Sequence, residues 1–479
     1  MEPGTDSAPA LYQKRIPIYT RSVKGPFRRF KTAVLLFGFA VFFLLPWLPW
    51  ARPDAPSQAV LFDLPGRRFL ILGLTVYPQD VIWLALLLFI AAILLFFATA
   101  LIGRAFCGYF CFQTLWTDCF IWIEHFVQGE RPARLRLARQ PWNREKLARI
   151  GGTHALWVLV SFWTGMTFAA YFAYAPQLVV DFFTGQAAPA AYITVGILTA
   201  STYLAAGLMR EQVCTYVCPY GRFQSVMYEA QTLAVHYDAR RGEGECGRAA
   251  AHAGLRTLDE RHARGHGDCI DCKLCVQVCP AGIDIRDGLQ YKCISCGLCI
   301  DACNGIMDSM GFPRGLIRYD SEANLGSPEP ARPRLHWRRL KVVGYGVAIV
   351  LMSAYLAYSI SARSGFEGAV TQVRQPLFVV LSNGDIRNRY QIRVTNKLES
   401  PETFSVGIKG LPESALDLGT LREVAVRPGH SAVLQASVIL DPETASRTRE
   451  IEFVITPRSH PNEARIESAG FHYSGQNRN

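Results

Sequence analysis

Read from its sequence alone, the chain is a multidomain membrane protein. An α-helical transmembrane domain of five spans is joined to a bacterial dicluster-ferredoxin-like α+β domain and a C-terminal all-β immunoglobulin-like sandwich. Three observations lead there. Five runs lack any charged side chain, 32–51, 81–103, 150–180, 182–209 and 342–362, and each can cross a hydrocarbon core of ~30 Å, which takes ~20 apolar residues. Two cysteine runs of identical spacing follow the fourth. Beyond the fifth, cysteine disappears and the hydrophobic period changes to two.

The spans come first. Half of the 479 residues are hydrophobic and the formal net charge is +11, a balance that suits nucleic acid or anionic lipid, so the position of the charge decides. Seven cations, Lys14, Arg15, Arg21, Lys24, Arg28, Arg29 and Lys31, precede the first run. Arg131, Arg134, Arg136, Arg139, Arg144, Lys146 and Arg149 crowd the loop after the second. The loops at 52–80 and 175–190 are nearly neutral. Positive loops stay inside, so the N-terminus and the basic loop are expected in the cytoplasm and the C-terminal domain in the periplasm of a bacterial inner membrane. Between two spans the basic loop reads as topology and lipid contact, not as a nucleic-acid patch. The first run is too long for a signal peptide and follows a long polar leader, so it reads as an anchor.

The expected domains are 1–31, a cytoplasmic tail; 32–235, four spans; 236–341, a cytoplasmic ferredoxin-like domain; 342–362, the fifth span; and 363–479, a periplasmic immunoglobulin-like domain. All 14 cysteines lie at or before Cys303. A cysteine-free exported part and thiols kept in the reducing cytosol fit this layout.

In the tail, Ile386, Asn388, Tyr390, Ile392 and Val394 alternate with Arg387, Arg389, Gln391, Arg393 and Thr395. Phe404, Val406 and Ile408, then Leu434, Ala436, Val438 and Leu440, then Ile451, Phe453 and Ile455 repeat the pattern. "SNGD" (382–385) and "RPGH" (427–430) are turn signals. Short alternating strands over this length suit a sandwich, with a barrel as the alternative.

The chemistry lies in "CIDCKLCVQVCP" (269–280) and "CISCGLCIDACN" (293–304), each C-x2-C-x2-C-x3-C. This is bacterial ferredoxin spacing, in which the fourth cysteine serves the other cluster. Cys269, Cys272, Cys275 and Cys303 are therefore expected to hold one [4Fe–4S] cluster, and Cys279, Cys293, Cys296 and Cys299 the second. Zinc prefers four ligands in two pairs, which two four-cysteine runs do not resemble. Asn304 stands where many ferredoxins have Pro.

Two further thiol pairs, Cys107/Cys111 and Cys214/Cys218, sit at the feet of the second and fourth runs as C-x3-C. Residues four apart on a helix share a face, so each pair is expected to present two sulfurs together. The surroundings repeat weakly, Arg104 with Arg210 and, out of register, Gln113 with Gln224. Soft thiolates favour Cu(I) over Cu(II); the alternatives are a further cluster or small apolar packing.

Lesser candidates are assigned bland roles. Cys119 lies in an apolar stretch and reads as filler, and Cys246 as unliganded. His252, His262 and His266 sit among Gly and Ala in what reads as a solvated linker, although His262-x3-His266 has a ligand-like interval. His125 and His154 flank spans as interface anchors.

The cysteine runs, C-x3-C-P at a helix foot, "IDACNGIMDSMGFPRGLIRY" (300–319), "VLFDLPGRRF" (60–69) and "NRYQIRVTNK" (388–397) together resemble the CcoG/FixG/RdxA family over nearly the whole chain. Members are accessory proteins for assembling cbb-type cytochrome c oxidase. The resemblance implies an immunoglobulin-like tail and a membrane-bound reductase that converts Cu(II) to Cu(I). Copper ions or carriers, oxidase assembly factors, lipid and an unidentified electron donor are then the partners, with no nucleic acid. Two other readings stand beside it, a quinol-linked respiratory electron-transfer subunit and a redox-sensing scaffold. A cysteine-free exported domain suits an assembly factor better than an electron subunit.

Overall fold

The computed structural model describes residues 17–52, 56–252, 254–328, 332–398, 400–419 and 422–473. Lys14 and Arg15 of the basic leader and the last six residues lie outside the described residues. The chain separates into two compact units, one of 1–48, 58–62 and 81–354, the other of 49–57, 63–80 and 355–479.

The first unit begins with α1 (Pro26–Leu44), whose opening amides have no partner inside the helix. Asp301 supplies one, accepting from Phe27 N at 3.3 Å and Arg28 N at 2.8 Å. Strand β1 (Val60–Asp63) follows, and β2 (Arg68–Ile71) and β3 (Leu74–Val76) come next in the chain but belong to the second unit. The bundle continues with α2 (Val81–Ile102), α3 (Ala105–Tyr109), α4 (Phe112–Gln128), α5 (Arg131–Arg139), α6 (Arg144–Ala170), α7 (Ala175–Thr184) and α8 (Pro189–Thr202). α8 runs on through a wider π-type turn to Met209, and α9 (Pro219–Met227) closes the bundle.

Among the described residues, four helices are long and apolar enough to cross a bilayer: Pro26–Trp47, Val81–Ile102, Pro189–Met209 and Leu340–Ser361. The run 150–180 is corrected: it is not one helix, because it breaks at Tyr171–Tyr174 and Pro176 opens α7. α6 has the length of a span, ~1.5 Å per residue over 27 residues, but is more polar. It begins with Arg144, Glu145 and Lys146 and buries Thr153, Ser161, Thr164 and Thr167 against the bundle. Small residues at such a seam let backbones close up; a methyl at Gly165 would stand 2.8 Å from Val195 O.

Buried charges tie one end of the bundle together. Asp118 pairs with Arg28 at 2.8 Å and Lys31 at 3.5 Å. Glu124 is bonded by both Arg134 and Arg210. Arg131 of the basic loop donates to Tyr19 O at 2.9 Å, so that loop and the leader lie together.

The ferredoxin-like part contains β4 (Ala234–Tyr237), α10 (Ala239–Glu243), α11 (Leu258–His262), α12 (Leu274–Gln277), α13 (Leu298–Met310), β5 (Ile317–Asp320) and α14 (Glu322–Gly326). β4 and β5 pair antiparallel and cover a core of Val235, Ile283, Ile285, Met307, Leu316 and Ile317. The expected linker around 243–268 is corrected, since it is a fastened clasp. Fully buried Arg261 donates to Gly267 O and Cys269 O at 2.8 Å and to Ala249 O at 3.0 Å. Thr257 and Glu260 form a capping box on α11.

After α15 (Leu340–Ser361) the second unit holds two antiparallel sheets. Its strands are β6 (Phe366–Gln372), β7 (Val379–Val380), β8 (Ile386–Asn396), β9 (Glu402–Lys409), β10 (Leu416–Asp417), β11 (Glu423–Val426), β12 (Ser431–Leu440), β13 (Glu450–Pro457) and β14 (Arg465–Gly470), with α16 (Pro442–Arg447) before β13. One sheet runs β10-β12-β8-β6 with β7 on β8, the other β11-β9-β13-β14. This is the sandwich, not the barrel. Tyr390, Ile392, Val394, Phe404, Val438, Phe453 and Ile455 face each other in its core, as the alternation requires. Asn388 is also buried, donating to His472 O at 3.0 Å and accepting from Gln372 at 2.7 Å. The loop before α2 belongs to this unit: Asp80 pairs with Lys397 at 3.1 Å and Arg363 at 3.3 Å.

Candidate redox site

The two cysteine runs fold alike. Asp271 and Lys273 in the first, and Ser295 and Gly297 in the second, take positive φ of 46°, 55°, 50° and 73°. Alternating left-handed residues curl each loop and turn its amides inward, a geometry that suits an anion. Each loop then enters a short helix, α12 or α13, that starts just before the third cysteine. The second copy needs glycine at 297 for a further reason, as a methyl there would meet Phe27 at 2.7 Å.

Around one cavity the structure gathers Cys269, Cys272, Cys275 and Cys303, walled by Tyr237, Leu274, Ile306, Met307, Leu316 and Ile317. A second is lined by Cys279, Cys293, Cys296 and Cys299, with Cys275 at its edge. Each run thus contributes three thiols to its own cavity and sends its last to the other. An amide points at one of the sulfurs, from Ser295 to Cys293 at 3.4 Å. Burial pushes the Cys279 and Cys303 thiols up to about 12. A ligand that carries positive charge is what brings such thiols to the thiolate form, and four sulfurs in an apolar cavity with inward amides fit an iron–sulfur cluster. Asn304, where Pro was the alternative, accepts from Gly315 N at 3.0 Å and so fastens α13 to the β5 approach.

The thiol pairs at the helix feet depart from expectation locally. Neither C-x3-C lies on one helix face. Cys107 is in α3 while Cys111, extended, precedes α4; Cys214 is in a π-type turn while Cys218, extended, precedes α9. In each motif the second cysteine caps the next helix. At Cys111 the cap is made by its carbonyl, which accepts from Thr114 N at 3.0 Å.

The repeat is reciprocal in space. Gln224, after the second motif, accepts from Arg104 Nε at 2.9 Å and from the Cys107 thiol at 3.3 Å. Gln113, after the first, donates to Ala205 O at 2.8 Å and Arg210 O at 3.3 Å. The feet are neighbours: a methyl on Gly221 would stand 3.3 Å from Arg104 Nη2, and Gln224 bonds both Arg104 and Cys107. A cleft lined by Cys214, Arg104, Arg210, Asp118, Tyr291 and Pro280 opens beside them.

The other candidates stay apart. His262 bonds Asp268 at 2.9 Å and His266 bonds Gly247 O at 3.2 Å. Cys246 is exposed, and Cys119 is half-buried beside Trp157 and Phe120. His125 meets Thr20 O at 3.0 Å and His154 meets Tyr203 at 2.9 Å. Sequence reasoning missed Arg261, Gln224 as a thiol partner and Tyr109.

Apolar spanning helices, a two-cavity ferredoxin module and a sandwich define a membrane-bound iron–sulfur oxidoreductase. Comparison with known families agrees, as residues 209–322 match a 4Fe-4S dicluster domain and 356–473 an IG-like fold at the C-terminal of FixG. The chain belongs to the FixG/RdxA family: it is 38% identical over 500 residues to the nitrogen fixation protein FixG of Rhizobium meliloti, covering 97% of this chain and 94% of that one. It is 40% identical to RdxB of Cereibacter sphaeroides over 444 residues, 91% of each chain. RdxA of the same organism is 42% identical over 415 residues, 84% of each. Among solved structures, a FixG-related protein from Vibrio parahaemolyticus matches at 23% identity and TM-score 0.21, covering 23% of this chain and 99% of that one.

Proposed function

We propose that the protein reduces Cu(II) to Cu(I) at Cys107, Cys111, Cys214 and Cys218, for assembly of a cbb-type cytochrome c oxidase. The observation that carries this reading is the bond between the two motifs, Cys107 of the first to Gln224 after the second at 3.3 Å, beside the ferredoxin loop that Tyr109 reaches at Cys296 O. Cys269, Cys272, Cys275 and Cys303 would hold one [4Fe–4S] cluster and Cys279, Cys293, Cys296 and Cys299 the other; when bound, each takes up and returns single electrons. The chain's own part is to place soft sulfur where copper arrives. Thiolates favour Cu(I) over Cu(II), so they ease uptake of one electron per ion, with no covalent bond made or broken. A cleft lined in part by Cys214 supports this reading. Copper carriers, oxidase assembly factors and a one-electron donor are the partners in this reading.

The same reading puts the leader, the basic loop and the ferredoxin part in the cytoplasm, with α6 as the third of five spans. The pairing of the leader with the basic loop and of Asp80 with the sandwich supports it. Reporters fused near residue 260 and after residue 479 should report opposite sides.

The test of the chemistry is a titration. Anaerobically purified, reduced protein is mixed with Cu(II) beside a Cu(I)-specific chelator. Cu(I) should form in step with loss of the reduced-cluster spectrum. Protein that stays reduced under excess Cu(II) would end the reading.

A further inference from the structure

The two cysteine sets are alike in sequence and unlike in surroundings. The second is pressed onto the membrane thiols. A methyl on Gly108, next to Cys107, would stand 2.6 Å from Ile294 O and 3.0 Å from Cys296 Cα. Those are backbone atoms of the loop between two ligand candidates, so they cannot swing aside as a side chain would. On the other side of Gly108, the Tyr109 hydroxyl donates to Cys296 O at 2.8 Å. Arg104, one turn earlier, is bonded to Tyr291 O and so holds the start of the same loop. Cys293 and Cys296 are buried. Among the described residues, the close backbone approach and the Tyr109 and Arg104 bonds all fall on the second loop, not on the first. The first loop is held by Arg261 through Cys269 O at 2.8 Å, and Cys272 is exposed, the one exposed cysteine of the eight.

We propose that Gly108 is the positioning residue of a one-way layout. Its missing side chain seats the Cys279/Cys293/Cys296/Cys299 set directly on the turn carrying Cys107, making that set the one that exchanges electrons with the membrane thiols. The Cys269/Cys272/Cys275/Cys303 set is left to meet a soluble one-electron carrier protein at the edge opened by Cys272. The direction of transfer rests on the copper reading above, whereas the layout does not. For each copper ion reduced the carrier loses one electron at the Cys272 edge, Cu(II) gains one at the thiols, and no proton or bond is exchanged.

The test reads the two sets separately, in full-length protein reduced with dithionite. Low-temperature paramagnetic resonance signals are assigned by Cys272→Ser and Cys299→Ser, each altering its own. A membrane-impermeant dysprosium chelate should then speed relaxation of the Cys272-linked signal and leave the Cys299-linked one nearly unchanged. Gly108→Ala should shift the line shape or midpoint potential of the Cys299-linked signal only, at full iron content. Equal relaxation of both signals by dysprosium would overturn the layout. So would a Gly108→Ala spectrum changed only in the Cys272-linked signal. If Gly108→Ala loses iron, Tyr109→Phe, which deletes one hydrogen bond, is read in the same way beside the dysprosium result on the parent. A parent that shows the expected relaxation but is not reoxidised by Cu(II) would sink the copper reading and leave the layout standing.

Discussion

Gln224 accepts a hydrogen bond from the Cys107 thiol at 3.3 Å, although 117 positions separate them. The same oxygen takes Arg104 Nε at 2.9 Å, so one buried side chain holds both a thiol and the cation beside it. Gln224→Leu leaves Arg104, itself buried, short of an acceptor. An unmade buried bond costs about 1–3 kcal/mol. The variant should unfold more easily by about that amount, keep its iron, and lose its clusters' electrons to Cu(II) more slowly. Denaturant unfolding, metal analysis and stopped-flow reoxidation check the three parts.

Arg261 predicts an asymmetry. Its guanidinium serves Cys269 O, Gly267 O and Ala249 O from full burial, and none of these belongs to the second set. Arg261→Ala should therefore let a chelator strip the first cluster several times faster, on the basis of ~1–3 kcal/mol for each orphaned acceptor. The second should be lost at nearly the parental rate. Uniform loss from both would mean that Arg261 supports the module as a whole.

A pH dependence follows from Asp284. Arg286 donates to it at 2.8 and 2.6 Å, and the guanidinium holds its carboxyl below the ordinary carboxylate range. A carboxyl whose pKa is lower folded than unfolded contributes stability above its unfolded pKa of ~4. That contribution disappears as the pH falls through the folded value. Asp284→Asn should be less stable than the parent at neutral pH, and the gap should close below pH ~4. Urea midpoints followed by cluster absorbance, measured for both proteins across this range, give the comparison.

The sandwich is predicted to stand alone. It contains no cysteine, so residues 363–473 should fold without metal or reductant. Phe453 is fully buried between the sheets, and Phe453→Ala should cost about 3–5 kcal/mol in urea unfolding. An unchanged midpoint would place the core elsewhere.

Much of this was legible in the sequence. Period-two alternation put Tyr390, Ile392 and Phe453 inside, and the cysteine spacing put Cys303 with the first set and Cys279 with the second. Both signals are local and repeat, so they survive without knowledge of the fold. What failed depended on where a helix stops. Cys111 and Cys218 lie beyond a break, and only Pro219 gave a sign of it, since proline favours the first position of a new helix. Nothing in the composition of 150–180 marks the break at Tyr171 except Pro176 further on. Arg261 was hidden for another reason, because an arginine among glycines and histidines reads as solvated until its carbonyl partners at 249, 267 and 269 are seen. The reciprocal reach of Gln113 and Gln224 is likewise a contact between segments far apart in the chain.

The central claim is that the membrane thiols receive copper and electrons, while the ferredoxin cysteines suffice for the clusters. Cys214→Ser/Cys218→Ser, prepared anaerobically beside the parent, tests it most directly, with iron content and reoxidation by Cu(II) measured on one sample. The account predicts about eight iron atoms, as two [4Fe–4S] clusters require, and a large loss of copper binding and of reoxidation rate. Parental copper binding and reoxidation in the variant would contradict it and leave these cysteines as packing residues.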